Sequence, residues 1–434
     1  MKIAYLAPAG NVGGAEQVLL SVMAGVIKAD PSAEVHLIVS TDGPLLRLAE
    51  SIGVRCTLLP MSEKLASIGD SQHRDSGWKE RWRGALRQVG MGPHVWRYSR
   101  RLRATLETIA PDLIHSNGIK CHLLARLAGA TPVIWHVHDF YSERPLVRWM
   151  LPLARKGVVG AITISEAVDR DVRTLLPALP TKVIPNAIDV DRFAPAPADP
   201  SLLDRLAGLP AAPEGTIRVG LVATYARWKG HDLFLRAAAR LLQQQPGLAV
   251  RFYIVGGPIY HTQGSQFSVA ELRSLAHSLG LEAHVGFVPF QQEPADVYRS
   301  LDVVVHASTR PEPFGLTIIE AMACARAVIV ARAGGAAELF THDQDAVGFT
   351  PGDAAELALA MQSLLADAPH RQRLAECARL TAVRRFDRSR LGSQILDAYR
   401  AFLRREKVGR SFENGARKMN GTNLRSGTSK TLEN

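Results

Sequence analysis

Glu312-Pro313-Phe314-Gly315-Leu316-Thr317-Ile318-Ile319-Glu320-Ala321-Met322-Ala323 follows the apolar run Leu301-Asp302-Val303-Val304-Val305-His306. The run has the length and β-branched content of a buried parallel strand. Pro313 and Gly315 mark a loop, and Leu316 to Cys324 reads as a helix. A helix start at the carboxyl edge of a parallel sheet collects anions, because its first amides lack intrahelical acceptors. The two glutamates, one at the loop and one mid-helix, suit hydroxyl groups. The other reading makes Glu312 a cap and puts Glu320 on a solvated helix face.

The same strand–turn–helix unit recurs on both sides of this stretch. Met1–Ala7 is an apolar strand, and Pro8-Ala9-Gly10-Asn11-Val12-Gly13-Gly14 turns into a helix from Ala15. Strand-like runs follow at Val35–Val39, Val54–Leu58, Leu113–His115, Val133–Trp135 and Ala161–Ile164, the last leading through Ser165 as N-cap into a helix from Glu166. Val183-Ile184-Pro185-Asn186-Ala187-Ile188-Asp189 closes this half. Five prolines between Ala194 and Gly215 mark a connection. A second series runs through Ile217–Val222, Ala249–Val255, His284–Phe287, Asp302–His306, Ala327–Val330 and Val347–Thr350. Alternation of this kind predicts an α/β protein of two doubly wound parallel sheets. The expected division is a first domain over 1–193, a linker over 194–216, a second domain over 217–386, a final helix over 387–405, and a disordered tail over 406–434.

At 434 residues, 47% hydrophobic and 21% charged, the chain is long enough for two ordinary cores. Cys56, Cys121, Cys324 and Cys377 lie far apart, which argues for a reducing compartment and against a structural zinc site. No apolar run approaches the ~20 residues of a membrane span. These features point to the cytoplasm. The net charge of +11 is concentrated: nine Lys/Arg against two Asp/Glu between His73 and Arg103, and eight against three from Arg404 to Asn434. Trp78 and Trp82 share a helix face among Lys79, Arg81, Arg83 and Arg87, and Trp96 and Tyr98 stand among Arg97, Arg100, Arg101 and Arg103. Such a segment, 78–103, suits an anionic membrane surface. A solvated helix whose aromatics pack on the domain is the alternative. Nucleic-acid binding lacks an accompanying motif.

Three further groups carry chemistry. The turn at Gly13 and Gly14 brings backbone close to a ligand, but its spacing is not GxGxxG, which argues against a dinucleotide site. Trp135-His136-Val137-His138-Asp139 ends a strand with both histidines on one side, at the edge where open α/β sheets bind ligands. Arg227-Trp228-Lys229-Gly230-His231 puts two cations on the first strand–helix turn of the second half, placed to neutralise a diphosphate.

Taken in order, Glu312…Glu320 with Phe314-Gly315-Leu316, Gly13-Gly14-Ala15-Glu16, Pro185-Asn186-Ala187-Ile188-Asp189, Trp228-Lys229-Gly230 and Ala333-Gly334-Gly335-Ala336-Ala337-Glu338 resemble family 4 of the retaining glycosyltransferases, over about residues 1–405. The resemblance implies the GT-B fold, two Rossmann-like domains facing across a cleft that binds a nucleotide-diphosphate sugar, with no metal or other cofactor required. It implies that Glu312 holds donor-sugar hydroxyls, Glu320 the ribose and Lys229 the diphosphate, with amides near Gly13, Gly14 and Gly315–Thr317 helping. His138 matches the histidine beside the donor sugar, with His136 close by, and the final helix is expected to cross back onto the first domain. Thr224 stands where the family has an arginine, so Arg227 is a candidate replacement. Ala187 replaces a glycine. The expected acceptor is a lipid-linked or envelope saccharide at the inner membrane face, with a soluble acceptor or a catalytically silent binding protein as alternatives.

Overall fold

The computed structural model describes residues 1–62, 65, 92–258 and 264–422, the last sixteen of these by backbone course alone. The part of the tryptophan–arginine segment holding Trp78, Lys79, Arg81, Trp82, Arg83 and Arg87 lies outside the described residues.

The first half runs β1 (Lys2–Ala7), α1 (Gly14–Ala29), β2 (Glu34–Val39), α2 (Pro44–Ser51), β3 (Arg55–Leu58), α3 (Gly92–Ile109), β4 (Leu113–Asn117), α4 (Ile119–Leu127), β5 (Val133–Val137), α5 (Pro145–Ala154), β6 (Val158–Thr163), α6 (Glu166–Leu175) and β7 (Thr181–Val183). Its strands form one parallel sheet in the order β3-β2-β1-β4-β5-β6-β7. The second half runs α7 (Leu202–Ala207), β8 (Ile217–Val222), α8 (His231–Gln244), β9 (Val250–Gly256), α9 (Val269–Ser278), β10 (Val285–Pro289), α10 (Ala295–Arg299), β11 (Val303–His306), α11 (Leu316–Ala323), β12 (Ala327–Ala331), β13 (Val347–Phe349), α12 (Ala354–Ala366), α13 (Ala368–Phe386) and α14 (Leu391–Thr422). Its sheet is also parallel, in the order β10-β9-β8-β11-β12-β13. Both orders reverse direction beside the first strand, which opens a crevice at the carboxyl ends of β1 and β4 and of β8 and β11.

Burial explains the apolar runs. Every residue of β4, β5, β11 and β12 is buried, as strands covered by helices on both faces must be. The proline-rich connection does more than link. It carries α7, whose buried Asp204 accepts hydrogen bonds from Tyr253 Oη at 2.6 Å and the Ala212 amide at 2.9 Å and pairs with Arg251 at 2.5 Å. This ties the connection to the second sheet.

The chain then returns to the first domain. Ile188 and Phe386–Arg388 exchange backbone hydrogen bonds of 2.9 Å, and Arg390 donates to the carbonyls of Pro185 and Asn186 at 2.6 and 2.8 Å. The Pro185–Asp189 stretch is thus the dock for the returning chain, and the buried Ala187 is part of its packing. α14 lies on α1 so closely that a methyl group at Gly392 would come within 2.0 Å of the Gly25 carbonyl. Tyr399 of α14 bonds to His115 Nδ1 at 2.6 Å and to Tyr5 Oη at 3.2 Å. The tail expected without structure from 406 is helical as far as Thr422. Arg404, Arg405, Glu406 and Lys407 are good helix formers, and extending a helix that is already nucleated adds one hydrogen bond for each residue fixed.

The domains also touch beside the crevice. Ser165 Oγ donates to the Pro313 carbonyl at 2.8 Å, and the Glu338 carboxylate accepts from the Glu166 and Ala167 amides at 2.8 and 2.7 Å. Glu338 therefore supplies, from the second domain, an acceptor for the unpaired amides that begin α6 in the first.

Candidate active site

β11 ends at His306, and the following loop turns Glu312 back beneath the Trp228-Lys229 turn. Lys229 Nζ reaches both Glu312 carboxylate oxygens, at 2.8 and 2.7 Å. Ser308 Oγ donates to the same carboxylate at 2.8 Å, and His306 Nε2 lies 3.3 Å from it. Burial pushes the Glu312 carboxyl up, but the Lys229 ammonium and His306 outweigh it and hold the group well below the usual carboxylate range. Lys229 is held over the Trp228 ring as well, 4.1 Å from its centroid. Gly230 is required next: its φ is +74°, and a methyl group there would come within 1.9 Å of the Ala307 carbonyl. The lysine turn is thereby pinned against the end of β11.

The backbone of Glu312 is held from the other side. The Gly335 amide donates to the Glu312 carbonyl at 2.7 Å, and the Gly334 position pairs with Glu312 as an isolated parallel bridge. So the Ala333–Glu338 motif braces Glu312 with its glycines and joins the domains with its glutamate.

Glu320 is also buried, at 7% exposure, which rules out a solvated helix face. Tyr298 Oη donates to its carboxylate at 2.7 Å. Burial raises its pKa, opposed in part by Tyr298 and Arg192. Phe314, a candidate at the ligand site, turns its side chain inward and meets Phe386 edge-on at 6.0 Å, because a phenyl ring beside a buried loop gains more from the core. At Phe314 the backbone is what remains for a ligand. Gly315 caps α11, and Leu316 and Thr317 are half-buried in its first turn.

The glycine turn of the first domain meets this helix start. A methyl group at Gly14 would lie 3.2 Å from Leu316 Cδ1, so the N-termini of α1 and α11 stand against each other across the crevice. At α1 the Glu16 carboxylate accepts from the Gly13 amide at 3.1 Å. Two helix starts and one lysine make this the anion-attracting part of the crevice.

The first domain contributes a row of histidines. His138 is half-buried at the end of β5, and its Nε2 lies 2.6 Å from Asn117 Oδ1. A carbonyl oxygen only accepts, so Nε2 carries the proton and Nδ1 is an acceptor. Burial pushes the His138 pKa down to about 4, so the ring is neutral near pH 7. His136 stands 4.1 Å away, ring to ring, but turns inward to His115, with its Nδ1 at 3.2 Å from His115 Nε2. The geometry thus separates the two histidines: His138 at the crevice, His136 in the interior.

Arg227 is not gathered with these groups. Its guanidinium binds Glu271 at 2.6 Å and the Gly264 carbonyl at 3.1 Å and stacks on Phe267 at 4.3 Å. Thr224 is half-buried just past the end of β8. Sequence reasoning did not find Ser308, His306, Tyr298 or Asn117, which reach their partners only through the fold. Among the described residues no group of three or more His, Cys, Asp or Glu could hold a metal ion, and no helix is long and apolar enough to cross a membrane.

The comparisons with known proteins agree on the kind of molecule. The model of Glycosyltransferase Family 4 matches residues 12–192, and that of Glycosyl transferases group 1 matches 210–381. The chain is 34% identical over 248 residues to the D-inositol 3-phosphate glycosyltransferase of Kineococcus radiotolerans, covering 52% of this chain and 54% of that one. With the Salinispora arenicola protein of the same name the identity is 31% over 314 residues, covering 66% and 68%. The match spans about half the length of the first of these curated relatives. Among solved structures, Anabaena HepE in complex with UDP-glucose superposes with a TM-score of 0.73 at 26% identity, covering 92% of this chain and 100% of that one. Sucrose-phosphate synthase from Thermosynechococcus elongatus gives 0.70 at 19%, covering 93% and 99%, a likeness of fold. The two facing parallel-sheet domains form the GT-B fold.

Proposed function

The chain belongs to the group 1 glycosyltransferases of family 4, and from that premise we propose that it moves a hexose-type sugar from a nucleotide-diphosphate sugar to an acceptor with retention of configuration and without a metal. The observation that carries this reading is the meeting of the α1 and α11 helix starts beside the Lys229–Glu312 pair. A diphosphate placed there faces amide donors from both domains and one ammonium, and a sugar beyond it faces Glu312 and the neutral His138. Glu320, whose carboxylate is buried next to Tyr298, takes the ribose hydroxyls. HepE was solved with UDP-glucose, which makes a UDP-sugar the first donor to test.

In the proposed step the bond from the anomeric carbon to the leaving phosphate oxygen breaks. Negative charge grows on the diphosphate and positive charge on the sugar. Lys229 and the helix-terminal amides stabilise the diphosphate without reorganising, which is electrostatic catalysis. The acceptor hydroxyl bonds to the anomeric carbon on the face the phosphate leaves, and its proton passes to the departing phosphate oxygen. Glu312 serves as hydroxyl binder and partner of Lys229. Its strongly lowered pKa keeps it ionised and unsuited to donating a proton. Arg227 joins the diphosphate only after leaving Glu271.

The acceptor we propose is a lipid-linked or envelope saccharide at an anionic membrane surface on the cytoplasmic side, supported by the cations and tryptophans of 78–103. A second reading, a soluble phosphorylated polyol acceptor, is favoured by the relatives named for D-inositol 3-phosphate. A thermal-shift screen of UDP-, GDP- and ADP-sugars against wild type and Glu320→Ala tests the donor site. One nucleotide series should stabilise wild type and leave the variant unmoved; equal stabilisation of both removes Glu320 from the site. With the donor known, turnover on a lipid extract against D-inositol 3-phosphate separates the acceptors. NMR of the product's anomeric proton tests retention, and activity in excess chelator tests metal independence.

A further inference from the structure

α5 is an amphipathic helix with its apolar tip turned outward. Leu151 and Ala154 are buried against the domain, while Leu146, Trp149 and Leu153 are 52%, 71% and 65% exposed. These three are spaced three and four residues apart, which at about 3.6 residues per turn puts them on one stripe. Three large apolar side chains on one stripe are not the scattered exposure expected of any surface. Between Arg144 and Lys156 there are four cations and no acid, and Arg148, Arg155 and Lys156 are exposed beside the stripe. α5 packs against α4, and α4 against α3. The exposed Trp96 of α3, with Arg100 stacked over it at 4.8 Å, gives that neighbouring helix the same pairing of tryptophan and cation.

The position matters as much as the composition. α5 begins at Pro145, seven residues after His138, and the intervening loop is fastened: the Tyr141 and Ser142 amides donate to Asp171 at 2.7 and 3.2 Å, and Arg144 pairs with Asp139. The start of α5 is therefore fastened to the loop that leaves His138 in the first domain.

We propose that Leu146, Trp149 and Leu153 insert into the interface of an anionic lipid surface, with Arg148, Arg155 and Lys156 against its headgroups. An exposed apolar stripe on a helix that carries cations and no acid of its own is complementary to hydrocarbon under a negative headgroup layer. Seated so, the first domain rests on the surface on which a lipid-linked acceptor presents its sugar. The proposal rests on the membrane reading above but assigns the contact to a different helix from the tryptophan–arginine segment.

Co-sedimentation of the full chain with vesicles of equimolar phosphatidylcholine and phosphatidylglycerol tests it, with phosphatidylcholine vesicles as control. The variants are Leu146→Gln/Trp149→Gln/Leu153→Gln and Arg81→Glu/Arg83→Glu/Arg87→Glu, each checked for an unchanged thermal shift with the donor nucleotide. Wild type should bind the anionic vesicles, less so as salt rises, and the glutamine variant should bind about tenfold or more weakly. If the glutamine variant binds as wild type does and the charge-reversed one does not, α5 is not the contact but the membrane reading stands. If wild type binds neither vesicle, both fail. A wild-type dimer that the glutamine variant dissolves, with no vesicle binding, makes the stripe a contact between copies and overturns the proposal.

Discussion

Glu312 and Glu320 are eight residues apart and equally buried, yet their surroundings are opposite. Glu312 faces an ammonium at 2.7 Å, a hydroxyl and a histidine. Glu320 faces the hydroxyl of Tyr298 and feels the charge of Arg192 without an ion pair, on a helix buried among apolar residues. One carboxylate is built to remain charged, and burial resists the charge of the other. The loop end of the motif thus belongs to the charged part of the reaction, where a diphosphate departs. Its helical end belongs to the neutral part, where hydroxyl groups are recognised. Burial alone does not decide what a carboxylate does; the partner it is buried with does.

The harshest way to break this contrast is Lys229→Ala. It removes the ammonium that pairs with Glu312 and leaves that buried carboxylate with only Ser308 and His306. Turnover should fall by about a hundred- to a thousandfold, the usual loss for one preorganised donor to a developing anion. Removing one member of a buried pair also costs about 3 kcal/mol in stability, read as a lower midpoint in urea. A variant with near-normal turnover would mean that the amides of α1 and α11 suffice for the diphosphate, and the assignment of Lys229 would fail.

The contrast sharpens with pH. Glu312 has a depressed native pKa, so its contribution is present above the unfolded value of 4.5 and is lost as pH falls below it towards the native value. Glu320 has a raised native pKa, so stability falls as pH rises from 4.5 through the native value. Glu312→Gln should therefore lower stability at neutral pH and flatten the acid limb of the profile. Glu320→Gln should relieve a cost on the neutral side of 4.5. Urea midpoints measured from acid to neutral pH check both, and parallel curves for the two variants would show that the opposed environments have no energetic consequence.

The local parts of this arrangement could be read in the chain. Strands whose both faces are covered announce themselves as apolar runs, and the turns at Gly14, Gly230 and Gly315 mark helix starts at the sheet edge. Pairings could not be read. Lys229 and Glu312 are 83 positions apart, so sequence gave each a separate task where the structure makes them one group. The histidine pair at the end of β5 could not be resolved without Asn117 and His115, which arrive from the neighbouring strand. Glu338 belonged to a recognisable motif, but its use as a cap for α6 of the other domain depends on how the domains meet. The exposed stripe on α5 is legible only once the buried side of that helix is known.

The mildest test concerns the other cation of the Trp-Lys-Gly turn. Thr224 stands where the family carries an arginine, and Arg227 is three residues away and on the same loop. The structure, however, gives Arg227 a full set of partners in Glu271, Gly264 and Phe267. The Ser268 amide and Arg227 together hold Glu271 down to about 2, so this carboxylate stays charged at any working pH and continues to attract the guanidinium. Both side chains of the pair are nearly half exposed, so the attraction is screened and weak enough for a diphosphate to compete. Arg227→Ala should lower kcat/KM by less than about threefold if Arg227 only fastens the turn to α9, a surface-pair effect. A loss approaching that of Lys229→Ala would show that the guanidinium leaves Glu271 when donor binds. In that case Glu271→Ala should raise donor affinity, because the arginine would no longer have to be taken from a competing carboxylate.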